Sequence, residues 1–482
     1  MKPYVITLSP LMAAPLTLQS PKCHLPVHAS AAPVKDVIKI RSLCLQRRFI
    51  HGSPAGGEEP WQVQTTVSCP PPRHAARSPG LRCAPAPPSL PAPAAPVVVR
   101  HTRALERERL LQVEWEDGSC SLYPYTWLRD NCLCPHCTLQ SAQARSLLLS
   151  ELDVHTGVDS VHVTEDNKVS ITWPDQHSSK FNPDWLKKRC FSSEARQAKQ
   201  EELFFNEREY WASDLRIPTA SFQEVLHDDK AALDWLLALR RVGIVYLKGA
   251  PAEQGQVARL SERIGYLRLT FYGHTWQVQD KPMANNVAYT SGKLSLHTDY
   301  PALHHPPGVQ FLHCLAQARE GGESEAVDGF HMAELLRRRD PEAFRALTSL
   351  RVDFSDTGTD YCDFAVQSKN HIIDVDNEGR VVRINYNNAT RDSVLDMPLD
   401  KVQLFYTSLK TYVKLMTQPE NMVTYTMEPG DLVTFDNWRL LHGRKSYVSD
   451  PNSRRHLEGA YLDWDEVMSR LRILRKAVHE DN

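Results

Sequence analysis

The sequence predicts a mainly β protein with flanking helices, of the α+β class, in which a small β-rich domain precedes a larger one. Three observations lead there. Short alternating or apolar runs, punctuated by Gly and Pro, recur from about residue 97 to the C-terminus. Cys132, Cys134 and Cys137 crowd into one knot early in that region. His297 and Asp299 stand two residues apart, and His442 ends another strand-like run far downstream.

The whole chain has 482 residues, enough for two or three domains with a sizeable core in at least one. A formal net charge of −2 excludes a field that steers the protein to nucleic acid or to an anionic membrane. No run of apolar residues is long enough to span a bilayer. The eleven cysteines are odd in number and scattered apart from the knot, which argues for a reducing compartment and one metal cluster rather than a disulfide framework. In that setting Asn388-Ala389-Thr390 is a coincidental glycosylation pattern.

Residues 1–97 hold 18 of the 33 prolines and end in a Pro/Ala-rich tract, so a disordered N-terminal extension is expected there. Through residue 57 its only acid is Asp36, against seven Lys or Arg. That leaves a mitochondrial transit peptide as the alternative, although the prolines count against a transit helix.

Residues 98–190 read as a small metal-bearing domain. Leu111 to Glu116 alternates, Asp117-Gly118 turns and Cys120 to Pro124 returns, a strong hairpin signal. Three thiols at C-x-C-x2-C spacing converge on one soft tetrahedral ion and need a fourth ligand, which closes the site and makes it structural zinc. His177, after the alternating run Lys168 to Trp173, is the better candidate; His155 and His162 compete. Residues 191–230 read as a helical linker whose Glu207 to Trp211 segment brings aromatics that dock it on the larger domain.

Residues 231–482 form the large domain. A helix is expected over Ala231 to Arg241, a buried strand over Gly243 to Lys248 and a second helix over Val257 to Ile264. Tyr272-Gly-His-Thr-Trp276 and Asn285-Asn-Val-Ala-Tyr289 are rich in aromatic and amide groups, which are either core or a cage for a quaternary ammonium held by ring faces. On a strand His297 and Asp299 face one side, and with a distant His they make the facial triad that leaves positions open on non-haem Fe(II). Tyr300 to Gly308 is a proline-marked loop and Val309 to Leu315 an apolar strand. Helices come next near Ala333–Arg339 and Glu342–Leu350, then short strands at Arg351 to Phe354, Ile372 to Val375 and Val381 to Tyr386. An amphipathic helix covers Lys401 to Met416, and a strand after Pro429-Gly430 delivers His442. Of the adjacent Arg454 and Arg455, Arg455 is favoured because it shares a strand face with Gly459 and Tyr461; a planar guanidinium suits bidentate grip of a dicarboxylate co-substrate.

The strings Asp130 to Cys137, Leu269 to Trp276, His297-Thr-Asp-Tyr-Pro-Ala302 and Asp436 to Gly443 resemble the γ-butyrobetaine dioxygenase branch of the Fe(II)/2-oxoglutarate-dependent dioxygenase family, from about residue 105 to the end. The resemblance implies a double-stranded β-helix (jelly-roll) catalytic domain after a small zinc-binding β-rich domain. It implies hydroxylation of γ-butyrobetaine at C3 to L-carnitine with O2 and 2-oxoglutarate, releasing succinate and CO2, with ascorbate as reductant. His297, Asp299 and His442 would hold the iron, and Cys132, Cys134, Cys137 and His177 the zinc. Arg455 would bind 2-oxoglutarate with help from Ser324, which stands where related enzymes often have Thr. Tyr272, Trp276, Tyr289 and Tyr461 would cage the trimethylammonium group, and Asn286, Asn387 and Tyr300 would meet the substrate carboxylate. The family also implies a homodimer and a cytoplasmic location. Two competitors stand beside this reading: trimethyllysine hydroxylation, and a zinc-stabilised methyl-lysine binding module without turnover.

Overall fold

Alternation of buried and exposed side chains builds the N-terminal lobe. In Leu110–Trp115 every second residue, Leu111, Val113 and Trp115, is buried, and the strand is central in a three-stranded sheet between Val99–Leu105 and Cys120–Pro124. A second three-stranded sheet runs Ser160–Val163, Val169–Thr172, Ser178–Phe181. One core, including Trp115, Tyr123, Leu128, Trp173, Phe181 and Leu186, joins them. The computed structural model describes residues 96–449 and 454–480. The extension expected over 1–97, with its transit-peptide alternative, lies outside the described residues apart from Pro96 and Val97.

The lobe contains an internal repeat that hydropathy patterning does not expose. Trp115, Asp117, Ser121, Tyr123, Trp127, Leu128 and Cys132 recur in order as Trp173, Asp175, Ser179, Phe181, Trp185, Leu186 and Cys190. Each copy is a hairpin followed by a short helix, Tyr125–Asp130 or Pro183–Lys187. Each Trp donates its indole N–H to the Ser hydroxyl of its own copy at 2.8 Å. In each turn the Asp Oδ1 accepts a backbone N–H two residues on, from Ser119 in the first copy and His177 in the second.

The helix Ser193–Phe204 has no buried residue. The segment after it belongs to the large domain more closely than a linker would. Trp211 is buried and donates its indole N–H to the Val242 carbonyl at 2.8 Å, and Thr219–Ser221 pairs in parallel with Ile244–Lys248.

In the large domain the chain alternates between two sheets. Leu294–His297, Ser324–Asp328, Val423–Tyr425 and Leu440–Arg444 lie in a four-stranded sheet. Val309–Ala316, Leu432–Asp436 and His456–Leu462 lie in a six-stranded one with Thr275–Gln279, Ile244–Lys248 and Thr219–Ser221. Winding back and forth in this way is what makes a double-stranded β-helix. One apolar cluster draws Val433, Phe435 and Leu457 from one sheet and Ala326, Val423 and Leu440 from the other. Helices Asp229–Val242 and Trp464–Glu480 pack together beside the larger sheet.

Between Asp328 and Val423 the chain adds helices Gly329–Arg339, Pro341–Ser349 and Leu399–Met416, with two hairpins and a second core. The first hairpin, Arg351–Thr359 with Asp363–His371, is longer than the expected strand ending at Phe354. Its outer half is polar and half-exposed, so no apolar alternation marks it, and the ladder to its partner carries it.

Asp328 and Arg439 form a fully buried ion pair. The guanidinium meets both carboxylate oxygens, at 3.0 and 2.7 Å, and donates to the carbonyls of Arg241 and Glu209. Asp328 also caps the helix Gly329–Arg339 through the N–H groups of Phe330 and His331. The pair therefore joins the four-stranded sheet, one inserted helix and the segment before the first strand.

Candidate functional site

His297 is the last residue of its strand, and Asp299 lies beyond the strand end. A continuous strand would put both on one pleated face, as expected from the sequence; the structure converges them differently. Thr298 turns away, its N–H donating to the Tyr386 carbonyl at 2.7 Å. Asn437 accepts the Asp299 N–H at 2.8 Å and donates to the Asp299 carbonyl at 3.0 Å, fixing the backbone from both sides. His442 sits directly across the ladder from His297. Cross-strand neighbours have close Cβ atoms, so register alone brings the two imidazoles together, with ring centroids 4.3 Å apart.

One ligand atom from each of His297, Asp299 and His442 lies within 4.8 Å of the others. Asp299 Oδ1 is 3.1 Å from His297 Nε2 and 3.8 Å from His442 Nε2. Adjacent vertices of an octahedron with bonds of about 2.1 Å are about 3.0 Å apart, so the trio fits one octahedral ion. His297 Nδ1 is 2.8 Å from the Ser295 carbonyl, which leaves Nε2 as the bare lone pair. The Tyr461 hydroxyl donates to the other oxygen, Asp299 Oδ2, so the carboxylate offers the metal side a single oxygen.

The electrostatics agree with a cation-binding set. Burial and the neighbouring His297 push His442 down to about 3, so it is a neutral donor at physiological pH. Burial opposes ionisation of Asp299, but the two imidazoles and the Tyr461 hydroxyl outweigh it and hold the carboxyl well below the usual range. Burial likewise opposes a proton on His297, yet Asp299 raises its affinity. Burial keeps Tyr461 protonated far above its ordinary range, so it stays a donor.

A cavity of about 180 Å³ opens beside the trio, walled by Tyr272, Trp276, Tyr289, Tyr300 and Tyr461 and by the amides of Asn286 and Asn387. Tyr272 meets Tyr289 edge-on at 6.3 Å. Trp276 and Tyr461 stack face to face at 4.0 Å, so no cation sits between those two faces in this arrangement. Asn286 donates its amide to the Tyr272 hydroxyl at 3.0 Å and accepts the Ala288 N–H at 2.9 Å. Asn387 accepts the Ala389 N–H at 2.9 Å. Tyr300 has φ +62, a strained position for a bulky residue, and its buried hydroxyl has no hydrogen-bond partner. Asp356, which no sequence motif marks, also lines the cavity, its carboxyl pushed up by burial.

Gly459 makes room for the indole. A Cβ there would fall onto Trp276, 2.5 Å from Cζ2. Gly459→Ala is expected to tilt Trp276 and weaken binding of a quaternary ammonium ligand by ~1–2 kcal/mol, about tenfold, with metal binding unchanged. Calorimetric titration of ligand and metal on the same variant checks this.

Arg455 is buried, and its Nε has no hydrogen-bond partner. Among the described residues no carboxylate pairs with it. Burial and the adjacent Arg444 push it down to about 10, so it is still charged at neutral pH. A buried unpaired guanidinium fits an incoming carboxylate. Gly322 keeps its flank clear, since a Cβ there would stand 3.3 Å from Arg455 Cδ. Ser324 lies two residues further on, buried, paired across the ladders with Tyr425 and Arg444.

In the N-terminal lobe His177 Nε2 lies 3.2, 3.5 and 3.6 Å from the Sγ atoms of Cys132, Cys134 and Cys137. A zinc tetrahedron with Zn–S near 2.3 Å and Zn–N near 2.0–2.1 Å has N–S edges of about 3.6 Å, so the four fit that ion. His155 instead faces Arg109, and His162 lies on the strand Ser160–Val163; neither joins the cluster. Arg129 donates to Cys137 Sγ at 3.3 Å and pairs with Asp175 at 3.2 Å, setting a positive charge beside the thiols.

Among the described residues no helix is long and apolar enough to cross a membrane. A family model described as taurine catabolism dioxygenase TauD, TfdA family, matches residues 207–461. A second, described as gamma-butyrobetaine hydroxylase-like, N-terminal, matches residues 102–187. The chain is 57% identical over 384 residues to a Homo sapiens protein named gamma-butyrobetaine dioxygenase, covering 80% of this chain and 99% of that one. A Pseudomonas sp. (strain AK-1) protein of the same name is 34% identical, covering 76% of this chain and 94% of that one. A Bos taurus protein named trimethyllysine dioxygenase, mitochondrial, is 30% identical, with coverage of 73% and 82%.

Proposed function

Since this chain belongs to the TauD/TfdA family of dioxygenases and carries the gamma-butyrobetaine hydroxylase-like N-terminal domain, we propose that it hydroxylates γ-butyrobetaine at C3, giving L-carnitine. The cofactors of the family are Fe(II) and 2-oxoglutarate. The observation that carries the substrate is the juxtaposition of five aromatic rings, the amides of Asn286 and Asn387, His297 and Asp299 in one cavity, with His442 completing the trio beside it.

In this reading His297, Asp299 and His442 hold Fe(II), and Arg455 takes the distal carboxylate of 2-oxoglutarate with Ser324 beside it. Iron with 2-oxoglutarate and O2 supplies the oxidant that replaces an unactivated hydrogen with hydroxyl, leaving succinate and CO2. The chain supplies position. Tyr272, Trp276, Tyr289 and Tyr461 receive the trimethylammonium group, which cannot donate hydrogen bonds and is attracted by ring faces. Asn286, Asn387 and the unpartnered Tyr300 hydroxyl receive the carboxylate. Fixing a short substrate at both ends selects one carbon for the metal side. Tyr461 does two jobs, giving a ring to the cage and a hydrogen bond to Asp299 Oδ2.

Cys132, Cys134, Cys137 and His177 hold structural zinc. Its removal by a chelator is expected to unfold the N-terminal lobe, because site and fold form together. Loss of tryptophan fluorescence from Trp115 and Trp173, in step with zinc release, measures it. The reading also includes a homodimer, a cytoplasmic setting and ascorbate as external reductant.

The test is anaerobic loading with Fe(II) and 2-oxoglutarate, followed by O2 and γ-butyrobetaine, with mass spectrometry of succinate and product. Equal amounts of succinate and carnitine support the reading. Succinate without carnitine moves it to trimethyllysine. Absence of succinate in zinc-replete, iron-loaded protein favours a binding module.

A further inference from the structure

Arg444 is buried and stands two residues beyond His442 on the same strand. Its guanidinium donates to three backbone carbonyls of one segment, those of Ala288 at 3.3 Å, Thr290 at 2.7 Å and Gly292 at 2.6 Å. That segment carries Tyr289, a wall of the cavity. The Tyr447 N–H adds a bond to the Ser291 carbonyl at 3.1 Å, and Arg444 lies over the Tyr447 ring at 4.9 Å. Arg455 lies over the same Tyr447 ring at 5.9 Å. No carboxylate among the described residues pairs with Arg444.

From this geometry we propose that Arg444 is a positioning residue that ties the Tyr289 wall of the substrate cavity to the strand bearing His442, so that oxidation at the metal side meets a substrate already in place. The proposal rests on the hydroxylase reading above. A guanidinium suits the task because its planar fork spreads donors in fixed directions over several carbonyls, whereas an ammonium is a compact point with rotatable donors. Three charge-assisted bonds add to the segment's short 3-10 turn, Val287–Tyr289, to the Lys281 N–H at the Tyr289 carbonyl and to the Tyr447 N–H at the Ser291 carbonyl. Without them the wall is tied to that strand only through the ladder at Leu294 and the Tyr447 N–H, and the C–H bond is held less firmly at its distance from the reacting centre.

The consequence is a loss of coupling. In the coupled reaction one 2-oxoglutarate and one O2 give one succinate, one CO2 and one hydroxylated product. In uncoupled turnover the second oxygen atom is reduced to water, using two protons and two electrons from the ascorbate in the assay. Wild-type holoenzyme is assayed first, with γ-butyrobetaine. If it makes no carnitine, the hydroxylase reading itself fails, whatever Arg444 does.

In Arg444→Ala the KM for γ-butyrobetaine is expected to rise about tenfold or more, and succinate to exceed carnitine, while Fe(II) and 2-oxoglutarate affinities stay within about threefold. Added guanidinium, but not equal ionic strength of NaCl, is expected to return the succinate-to-carnitine ratio toward one. A merely structural residue would lower both products together and gain nothing from guanidinium. A ratio that stays at one, or parallel loss of iron, 2-oxoglutarate and substrate binding, overturns the proposal. Should the Ala variant not fold, Arg444→Lys decides: it retains the charge but not the fork, so partial uncoupling supports the proposal and full coupling overturns it.

Discussion

Asp299→Ala is expected to lower carnitine formation at least about 1,000-fold, ~4 kcal/mol of barrier, while the zinc content stays that of wild type. Asp299 supplies the only carboxylate of the trio, so its loss leaves two neutral imidazoles to bind a dication. And Tyr461, whose hydroxyl donates to Asp299 Oδ2, loses its buried acceptor and with it the orientation of a ring that lines the cavity. Metal analysis of zinc and iron on the same sample, with mass spectrometry of product, checks the result; turnover within tenfold of wild type refutes the assignment. Tyr461→Phe separates the two jobs of that residue. It retains the ring, so substrate binding is expected to change little, and it frees Asp299 Oδ2, so turnover or iron affinity falls by about 10–100-fold.

Arg439→Ala is expected to be the most destabilising single change outside the site, by ~3–5 kcal/mol. Both members of the Asp328–Arg439 pair are fully buried, and removing the cation leaves a carboxylate with only N–H donors around it. The Glu209 carbonyl loses a donor at the same time, and the Arg241 carbonyl keeps the Glu209 N–H at 3.0 Å. Replacing both partners, Arg439→Met with Asp328→Leu, is expected to cost less than the single change, although the helix cap at Phe330 and His331 is then lost. Urea denaturation followed by far-UV circular dichroism compares the variants. A single-variant loss below about 1 kcal/mol would show that water reaches the site and screens the charge. Because Arg439 stands three residues before His442, the activity of the variant is expected to fail at lower urea than its secondary structure.

Rare residue types at fixed spacing made part of this site legible in the sequence. Three thiols within six positions and a His-x-Asp are uncommon enough to stand out, and the metal chemistry they allow is narrow. The winding of strands between two sheets was visible only through family resemblance, since apolar runs do not say which sheet they enter. The register that sets His442 opposite His297 was not visible at all, because pairing depends on partners about 145 residues apart. Asn437 and Arg444 escaped for another reason. Their work is done on backbone carbonyls and N–H groups, which any sequence supplies, so nothing in the neighbouring residue types announces it. Asp356 was hidden on the polar half of a hairpin that reads as surface. The repeat in the N-terminal lobe was obscured because matched positions differ in chemistry: Ser119 corresponds to His177, and Leu122 to Lys180.

That repeat also governs how the lobe comes into being. The cysteines lie after the helix of the first copy, and the histidine lies in the turn of the second. Neither copy alone owns a complete ligand set, although Cys190 occupies in the second the place that Cys132 has in the first. During synthesis the first copy emerges with three thiols and no fourth partner, and the closed site exists only after residue 177 has left the ribosome. A metal held there would thus act as a completion signal for the newborn lobe: it could close only over both units, since neither alone offers more than part of the ligand set.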